Sequence, residues 1–489
     1  MSIINLNALL NEILFQNREI DFREEDMMEL FRNVNADFQH KQRVYEKMYN
    51  YYKGKTDARS QYKQIEERSN LFTNVNYFKK FIKEEVSYTV GNKITYESLS
   101  GNVDFIKNLE KQTHHWSENH DGDVMKYLLI FTRVYELYYR DVEGRFCSRV
   151  ITPLNGYAYR NYAGKILFFI HSHTSQFEED VEENGKIVTR RRTYYDVYTD
   201  KYIYYFNDQY KQIKERELHK FKSVPVSVGI LTYEGYNDSL YADIKGLQDA
   251  LETNLSDMAN EISDFRNAYL FFKGCHIDDD ELKSFKHRGA IEIHDQSGKA
   301  DVKWLIKDIN DTFIQNSLDR YTDLLYQVAA HINHNEKLQS NLSSLTLRSR
   351  LIALENKCTL NINSHKDIVK NRLRFLCEYL NSTELIEANK LDDKDIKITY
   401  TPNIPQDDAA VAQMLSSLPP GVISKTTSRG LFSFIHNPAR EGELCDKEAE
   451  KEMDMMEDTY MKGPSVNNPV ANNEPVMNGN NNAGDINEE

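Results

Sequence analysis

The sequence predicts an α+β protein, and three observations carry that expectation. Apolar residues recur at three- and four-residue steps through three long stretches, 241–265, 309–332 and 347–380. Residues 145–206 are instead packed with Tyr, Phe, Ile and Val in short runs bounded by turn residues. Between the second and third helical stretches lies a polar segment, 331–345, fifteen residues without Gly or Pro. That is long for a connection between packed helices.

A chain of 489 residues can hold two to four domains with sizeable cores. Its 40% hydrophobic and 28% charged content suits a soluble protein, and no run approaches the ~18 apolar residues of a membrane span. The start, Met1-Ser2-Ile3-Ile4, has no basic region and soon carries Glu12, so no signal peptide is expected. Cys147, Cys275, Cys358, Cys377 and Cys445 are scattered and never paired as C-x-x-C. A reducing compartment without disulfides or structural zinc is the expectation. The net charge of −15 is concentrated at one end: residues 441–489 hold thirteen acids and three bases, leaving −5 for the rest. Such a chain lacks the concentrated basic face of sequence-specific DNA binding, but not a surface past which DNA could slide.

In order along the chain, Leu6, Leu9, Leu10, Ile13 and Leu14 form one apolar stripe and Met27, Leu30, Phe31 and Val34 another. A third run, Val44-Met48-Tyr51-Tyr52, stops at Gly54, a natural helix C-cap. A helix over 77–90 places Phe78, Phe81, Ile82 and Val86 on one side. Lys79, Lys80, Lys83 and Glu84 fall on the other, most simply a solvated face. Residues 103–130 read as helical. The block 145–206 then predicts an antiparallel meander of five or six strands, with Asn184-Gly185 its strongest hairpin turn. Its tyrosines are assigned to sheet packing rather than base stacking, and His171 with His173 lacks a third metal ligand nearby.

Asp238 or Ser239 caps the helix that carries Tyr241, Ile244, Leu247, Leu251, Leu255, Met258 and Ile262 on one stripe. Asp243, Glu252, Asp257, Asn260 and Glu261 lie on the other face. About forty residues separate it from the next helix. They hold strands at 269–272, 290–293 and 301–306 and a short acidic helix, 278–285, whose Asp278, Asp279 and Asp280 suit a helix start better than a metal site. After the third long helix come a strand at 396–400, a helix at 409–418 broken by Pro419-Pro420-Gly421, a helical segment from Ser424 to near Phe434, and a charged helix at 441–460. The Asn-rich remainder predicts disorder. No P-loop, dinucleotide fingerprint, zinc-protease, nucleophile-elbow or calcium-loop motif occurs, so no catalytic residues, cofactor or metal are expected.

Six blocks in order resemble the portal (head-to-tail connector) proteins of tailed bacteriophages, specifically long-tailed phages of Gram-positive hosts. They are Tyr51-Tyr52-Lys53-Gly54-Lys55; Asn74 to Lys80 with Tyr88 to Tyr96; Val224-Pro225; Asp238, Leu240, Asp243, Ile244, Leu247, Asp249, Ser256, Asp257, Ala259, Asn260 and Phe265; Ser343 to Glu355; and Asn403, Pro405, Asp407, Ile423 and Ser424. The likeness spans about residues 45–455.

It implies a portal fold: an N-terminal helical arm (1–40), a mixed α/β wing on an antiparallel sheet (41–237), stem helices (238–265 and 308–332) and an α/β clip (266–307). A tunnel loop (333–345), a long wing helix with a returning strand (346–400), a helical crown (401–460) and a disordered tail (461–489) complete it. The implied assembly is a twelve-subunit ring at the unique head vertex of the virion, built in the host cytoplasm. It passes double-stranded DNA non-specifically and meets terminase, scaffold, major capsid protein and the head-tail connector, with no membrane and no enzymatic step. Asn335, Lys337, Gln339 and Asn341 would touch DNA phosphates in passing. Asp278, Asp279, Asp280, Glu281, Lys283 and Lys286 would lie on the clip surface offered to partners. The alternatives are another head structural or adaptor protein, with the helix–cap–helix hairpin as an oligomerisation arm, and a nucleic-acid enzyme with a divergent site, which the missing motifs disfavour.

Overall fold

The first described element, α1 (Glu24–Tyr52), is one helix of 29 residues, where the sequence suggested separate runs and a boundary at 40. No Gly or Pro interrupts 24–52, so the runs fuse. Its Met27, Leu30, Phe31 and Phe38 bury against a β-sheet, and Met48 and Tyr51 enter a second core. Gly54 ends it at φ +78°, with Gly54 N–H donating to the Tyr51 carbonyl and Lys55 N–H to that of Asn50, a Schellman turn. The computed structural model describes residues 24–63, 69–161, 163–183, 186–265, 269–273, 301–305, 311–333, 344–382, 392–403, 408–419, 421–435 and 437–461. Two compact units divide the chain at 405/406.

In the first unit, Thr56 caps α2 (Asp57–Gln61) and Asn76 caps α3 (Tyr77–Val90). The α3 face expected to be solvated is not: Lys79, Lys80 and Glu84 are half-buried, only Lys83 is exposed, and Glu85 is fully buried. After β1 (Thr95–Ser98) the expected helix at 103–130 is two, α4 (Val103–Thr113) and α5 (His120–Phe131). The turn between them seats Trp116 on Phe146, whose carbonyl accepts from the indole N–H at 3.2 Å.

The strand-rich region starts at β2 (Arg133–Arg140), earlier than the sequence suggested. It continues through β3 (Phe146–Ile151), β4 (Gly156–Arg160), β5 (Ile166–Glu183), β6 (Lys186–Tyr198), β7 (Tyr202–Asn207), β8 (Gln212–Leu218) and β9 (Val226–Ile230). It forms two sheets rather than one: β3-β2-β9, and the five-stranded meander β4-β5-β6-β7-β8. Glu183 stands opposite Lys186 across the Asn184-Gly185 turn, whose own residues lie outside the described ones.

A Cβ on Gly229 of β9 would fall 2.3 Å from Ile368 Cδ1 and 3.0 Å from Val134 Cγ1, both in buried side chains. We expect Gly229→Val to cost about 1–3 kcal/mol, as core overpacking does, read from the urea-unfolding midpoint.

Ser239 Oγ accepts the Ala242 N–H and caps α6 (Leu240–Phe265), as expected. A ribbon of β10 (Tyr269–Lys273) and β11 (Asp301–Leu305) follows, with Leu270 opposite Trp304, and then α7 (Asp311–Val328), packed on α6. The acidic helix at 278–285, the strand at 290–293 and the candidates Asp278, Asp279, Asp280, Glu281, Lys283 and Lys286 lie outside the described residues. The long helix α8 (Ser344–Ser382) has 39 residues and includes Ser344 and Leu345, which the sequence reading gave to the loop. Its Ile368, Val369, Leu373, Leu376 and Leu380 are buried, and β12 (Ile396–Thr399) pairs with β1.

The second unit carries α9 (Asp408–Ser417), α10 (Lys425–Arg429) and α11 (Pro438–Met461). Ser424 caps α10 by accepting the Thr427 N–H. That helix is five residues long and stops well short of the expected Phe434. The Asp408 carboxylate accepts from the Ser433 N–H and hydroxyl and ties the turn after α10 to α9. The expected N-terminal stripe at Leu6–Leu14 and the Asn-rich tail lie outside the described residues. Among the described residues no helix is long and apolar enough to cross a membrane.

Candidate DNA-channel loop and its buried anchors

Asn335, Lys337, Gln339 and Asn341 lie outside the described residues, but the chain on both sides of them is described. At the end of α7, Ala330 takes a left-handed conformation (φ 58°), with Ala330 N–H on the Gln327 carbonyl and His331 N–H on that of Tyr326. A non-glycine residue at that position costs stability. What it achieves is to turn His331 into the core.

The His331 ring stacks on Phe81 with centroids 4.3 Å apart. Its Nδ1 lies 2.8 Å from Glu84 and its Nε2 3.1 Å from Glu85, an arrangement that only an imidazolium with two N–H groups satisfies fully. Glu85 also receives Lys357 Nζ at 2.6 Å and Asn361 Nδ2 at 2.7 Å, both from α8. Lys357 reaches back to donate to the Ala329 carbonyl at 3.1 Å. One buried carboxylate on α3 therefore joins the chain entering the loop to the helix leaving it. Burial pushes the Glu85 carboxyl up, but Lys357 and His331 outweigh it and hold it below the ordinary carboxylate range. Burial acts likewise on Glu84, where His331 and Lys80 prevail.

Farther along, α8 is held by a second network. Arg372, 4% exposed, places Nε 2.8 Å from Glu136 and Nη1 2.7 Å from Asp121. Glu136, fully buried on β2, also lies 2.8 Å from His120 Nε2, 2.7 Å from Ser148 Oγ and 3.0 Å from Tyr138 Oη. Against the upward push of burial, Arg372 and His120 hold the Glu136 carboxyl far below its ordinary value. His365, whose Nδ1 is 2.8 Å from Tyr400 Oη, is pushed down to about 4 by burial and stays neutral.

The polar face expected on α6 divides: Asp243 and Asp257 are exposed and Glu261 is half-buried, whereas Glu252 is fully enclosed and Asn260 is 9% exposed, with Gln248 and Ser256 fully enclosed beside them. The buried residues form a polar zipper with residues 56–78. Glu252 receives Thr56 Oγ1, Asn74 Nδ2 and Val75 N–H, Ser256 receives Thr73 N–H, and Asn260 bonds Leu71 at both backbone groups. Gln248 accepts the Phe78 N–H, while Asp249 sits 2.8 Å from both Tyr51 Oη and Lys245 Nζ. The sequence carried a signal for these groups: Gln248, Glu252, Ser256 and Asn260 repeat every four residues beside the apolar stripe, and Glu85 lies on the stripe of Phe78, Phe81 and Ile82.

His171 and His173 both face Asp196, at 3.6 and 3.3 Å, and among the described residues no group of three or more His, Cys, Asp or Glu is placed to hold a metal.

The two long helices α6 and α7, linked through the β10–β11 ribbon, and the long helix α8 after them are thus tied into one mixed α/β unit by buried polar groups. The chain belongs to the phage portal protein family described as SPP1 Gp6-like, whose family model matches residues 32–455. It is 22% identical over 427 residues to the portal protein of Bacillus phage SPP1, covering 82% of this chain and 80% of that one. Two solved structures also match at lower similarity. The neck of an empty gene transfer agent particle computed with C6 symmetry has 9% identity, TM-score 0.44 and covers 72% of this chain and 88% of that one. The virion of a native gene transfer agent particle has 10% identity, TM-score 0.40 and the same coverage.

Proposed function

We propose that the chain assembles into a closed ring, of twelve subunits, at the unique vertex of the phage head. Double-stranded DNA passes through it without sequence preference during packaging, retention and ejection. The family match over 32–455, which takes in the helix–ribbon–helix, the loop and the long helix, is the observation that carries this reading. Within it, residues 41–237 act as the wing, α6 and α7 as the stem, 266–307 as the clip, 333–345 as the tunnel loop, 346–400 as the supporting helix and returning strand, and 401–460 as the crown. Asn335, Lys337, Gln339 and Asn341 contact phosphates transiently, and no base-reading set is needed in a channel that accepts any sequence. The role is structural, without catalysis or cofactor. Terminase and later the head-tail connector dock on the clip around Asp278, Asp279, Asp280, Glu281, Lys283 and Lys286. Scaffold and major capsid protein meet the ring during assembly in the host cytoplasm.

Deleting residues 335–341 tests the loop assignment. Rings seen by negative-stain microscopy should be unchanged, while packaged DNA, measured as nuclease-protected genome per head, is lost. Failure of the deletion variant to form rings would instead make this segment an assembly element.

A further inference from the structure

β5 and β6 outrun the sheet they belong to. β4 lies beside β5 only as far as His171, and β7 lies beside β6 only from Tyr194 onward. Beyond those points the two strands pair with each other alone, to Glu183 opposite Lys186. The result is a two-stranded arm about 26 Å long, the eight residues 186–193 of β6 at ~3.3 Å each. One face of the arm is covered within the subunit, where Val181 is 1% exposed, but its edges have no neighbouring strand, and such an edge is a template for pairing. This one also exposes large apolar side chains, with Phe177 at 79% and Ile187 at 75%.

Its charge is divided by strand. Residues 175–183 of β5 carry Glu178, Glu179, Asp180, Glu182 and Glu183 and no base; residues 186–193 of β6 carry Lys186, Arg190, Arg191 and Arg192 and no acid. Some of these groups are used inside the subunit: Arg190 and Arg192 bind Asp208, Tyr194 donates to Glu179, and Thr189 donates to Asp180. Glu178, Asp180 and Arg191 nevertheless remain exposed.

We infer that the arm joins neighbouring copies of this chain, the acidic outer edge of β5 in one subunit lying against the basic outer edge of β6 in the next. The two edges of one arm differ, so the contact is head-to-tail, the kind that closes into a ring rather than a two-fold dimer. Edge-to-edge pairing supplies backbone hydrogen bonds, opposite charges set which edge meets which, and Phe177 and Ile187 gain cover. This rests on the ring proposed above.

Two charge-reversed full-length chains test it. One carries Lys186→Glu and Arg191→Glu, which puts acids at these two positions of β6 against the acids of the neighbouring β5; the other carries Glu178→Lys and Asp180→Lys, which puts bases at these two positions of β5 against the bases of the neighbouring β6. Arg190 and Arg192 are left on Asp208, and circular dichroism checks that each variant is folded. The expected result is loss of rings for either variant alone and their return, containing both chains, when the two are mixed, read by native mass spectrometry with differently tagged chains. Charges that act only within one arm cannot give this result, because each chain keeps its own mismatch in the mixture. Folded variants that fail to form rings even when mixed would overturn the inference. So would variants that each form rings as the unaltered chain does, and that outcome would leave the ring itself standing. An unaltered chain without rings would remove the underlying reading and this one with it.

Discussion

Replacing Arg372 by methionine should lower the stability of the first unit by about 3–5 kcal/mol, the usual cost of stranding one side of a buried ion pair. Arg372 is the cation shared by Glu136 and Asp121, and Glu136 is wholly enclosed. Methionine keeps much of the volume and removes the charge, leaving Glu136 with His120, Ser148 and Tyr138. Urea unfolding at neutral pH, followed by near-ultraviolet circular dichroism, measures the loss.

The pH dependence should change with it. In the unaltered protein the folded Glu136 and Asp121 carboxyls lie below their ordinary values of 4.5 and 3.8. Each contributes stability that is present above the ordinary value and is lost as pH falls through the depressed one. His365, down from 6.5 to about 4, adds an earlier loss between those two values, because the unfolded chain takes up its proton first. Without Arg372, burial of Glu136 loses its strongest opponent, so the carboxyl moves upward and acid relieves strain instead of creating it. His365 also loses a neighbouring positive charge that helps keep it neutral. The variant should therefore lose less of its remaining stability between pH 6.5 and 3 than the unaltered protein does. A parallel, merely offset pH profile would contradict this account of the network.

The second large effect is expected at Glu85. Glu85→Leu suits the apolar surroundings of Phe81 and Ile82 but leaves Lys357, Asn361 and one nitrogen of His331 without the carboxylate they share. A cost of about 3 kcal/mol follows from leaving the buried Asn361 amide and one buried His331 nitrogen without partners, each at ~1–3 kcal/mol. The effect should also be local. Hydrogen exchange should accelerate most at residues 329–333 and in the turns of α8 around Lys357 and Asn361, while β2 and the Arg372 end of α8 keep their protection. Glu85→Gln, which can still accept hydrogen bonds, should fall between the two. Uniform acceleration across the unit would mean that Glu85 is ordinary core and not a tie between the two roots of the loop.

Helices whose interactions repeat within a few residues were legible in the sequence. The stripe from Tyr241 to Ile262 delivered α6, and the turn chemistry of Asn184-Gly185 delivered the pairing of β5 with β6. What could not be read depends on partners far apart in the chain. β2 reads poorly as a strand because Arg133, Glu136 and Arg140 interrupt its apolar run, and Glu136 becomes a core residue only through Arg372, 236 residues later. The break between α4 and α5 is fixed by Trp116 docking on Phe146, again a tertiary effect. Glu252 and Asn260 read as part of one polar face with Asp243, Asp257 and Glu261, because the groups that cover them, Thr56, Leu71 and Val75, lie far upstream in the chain. At the candidate site, sequence reasoning pointed to the loop but not to its anchors. His331 was placed at the edge of the polar segment, and Glu85 was passed over beside an apparently solvated face.

The central claim is that this chain closes into a ring around a DNA-sized channel. Negative-stain microscopy of the purified full-length protein tests it most directly. End-on views should show closed rings with a central stain-filled hole and one repeated number of subunits. Isolated monomers, open filaments or particles without a hole would contradict it.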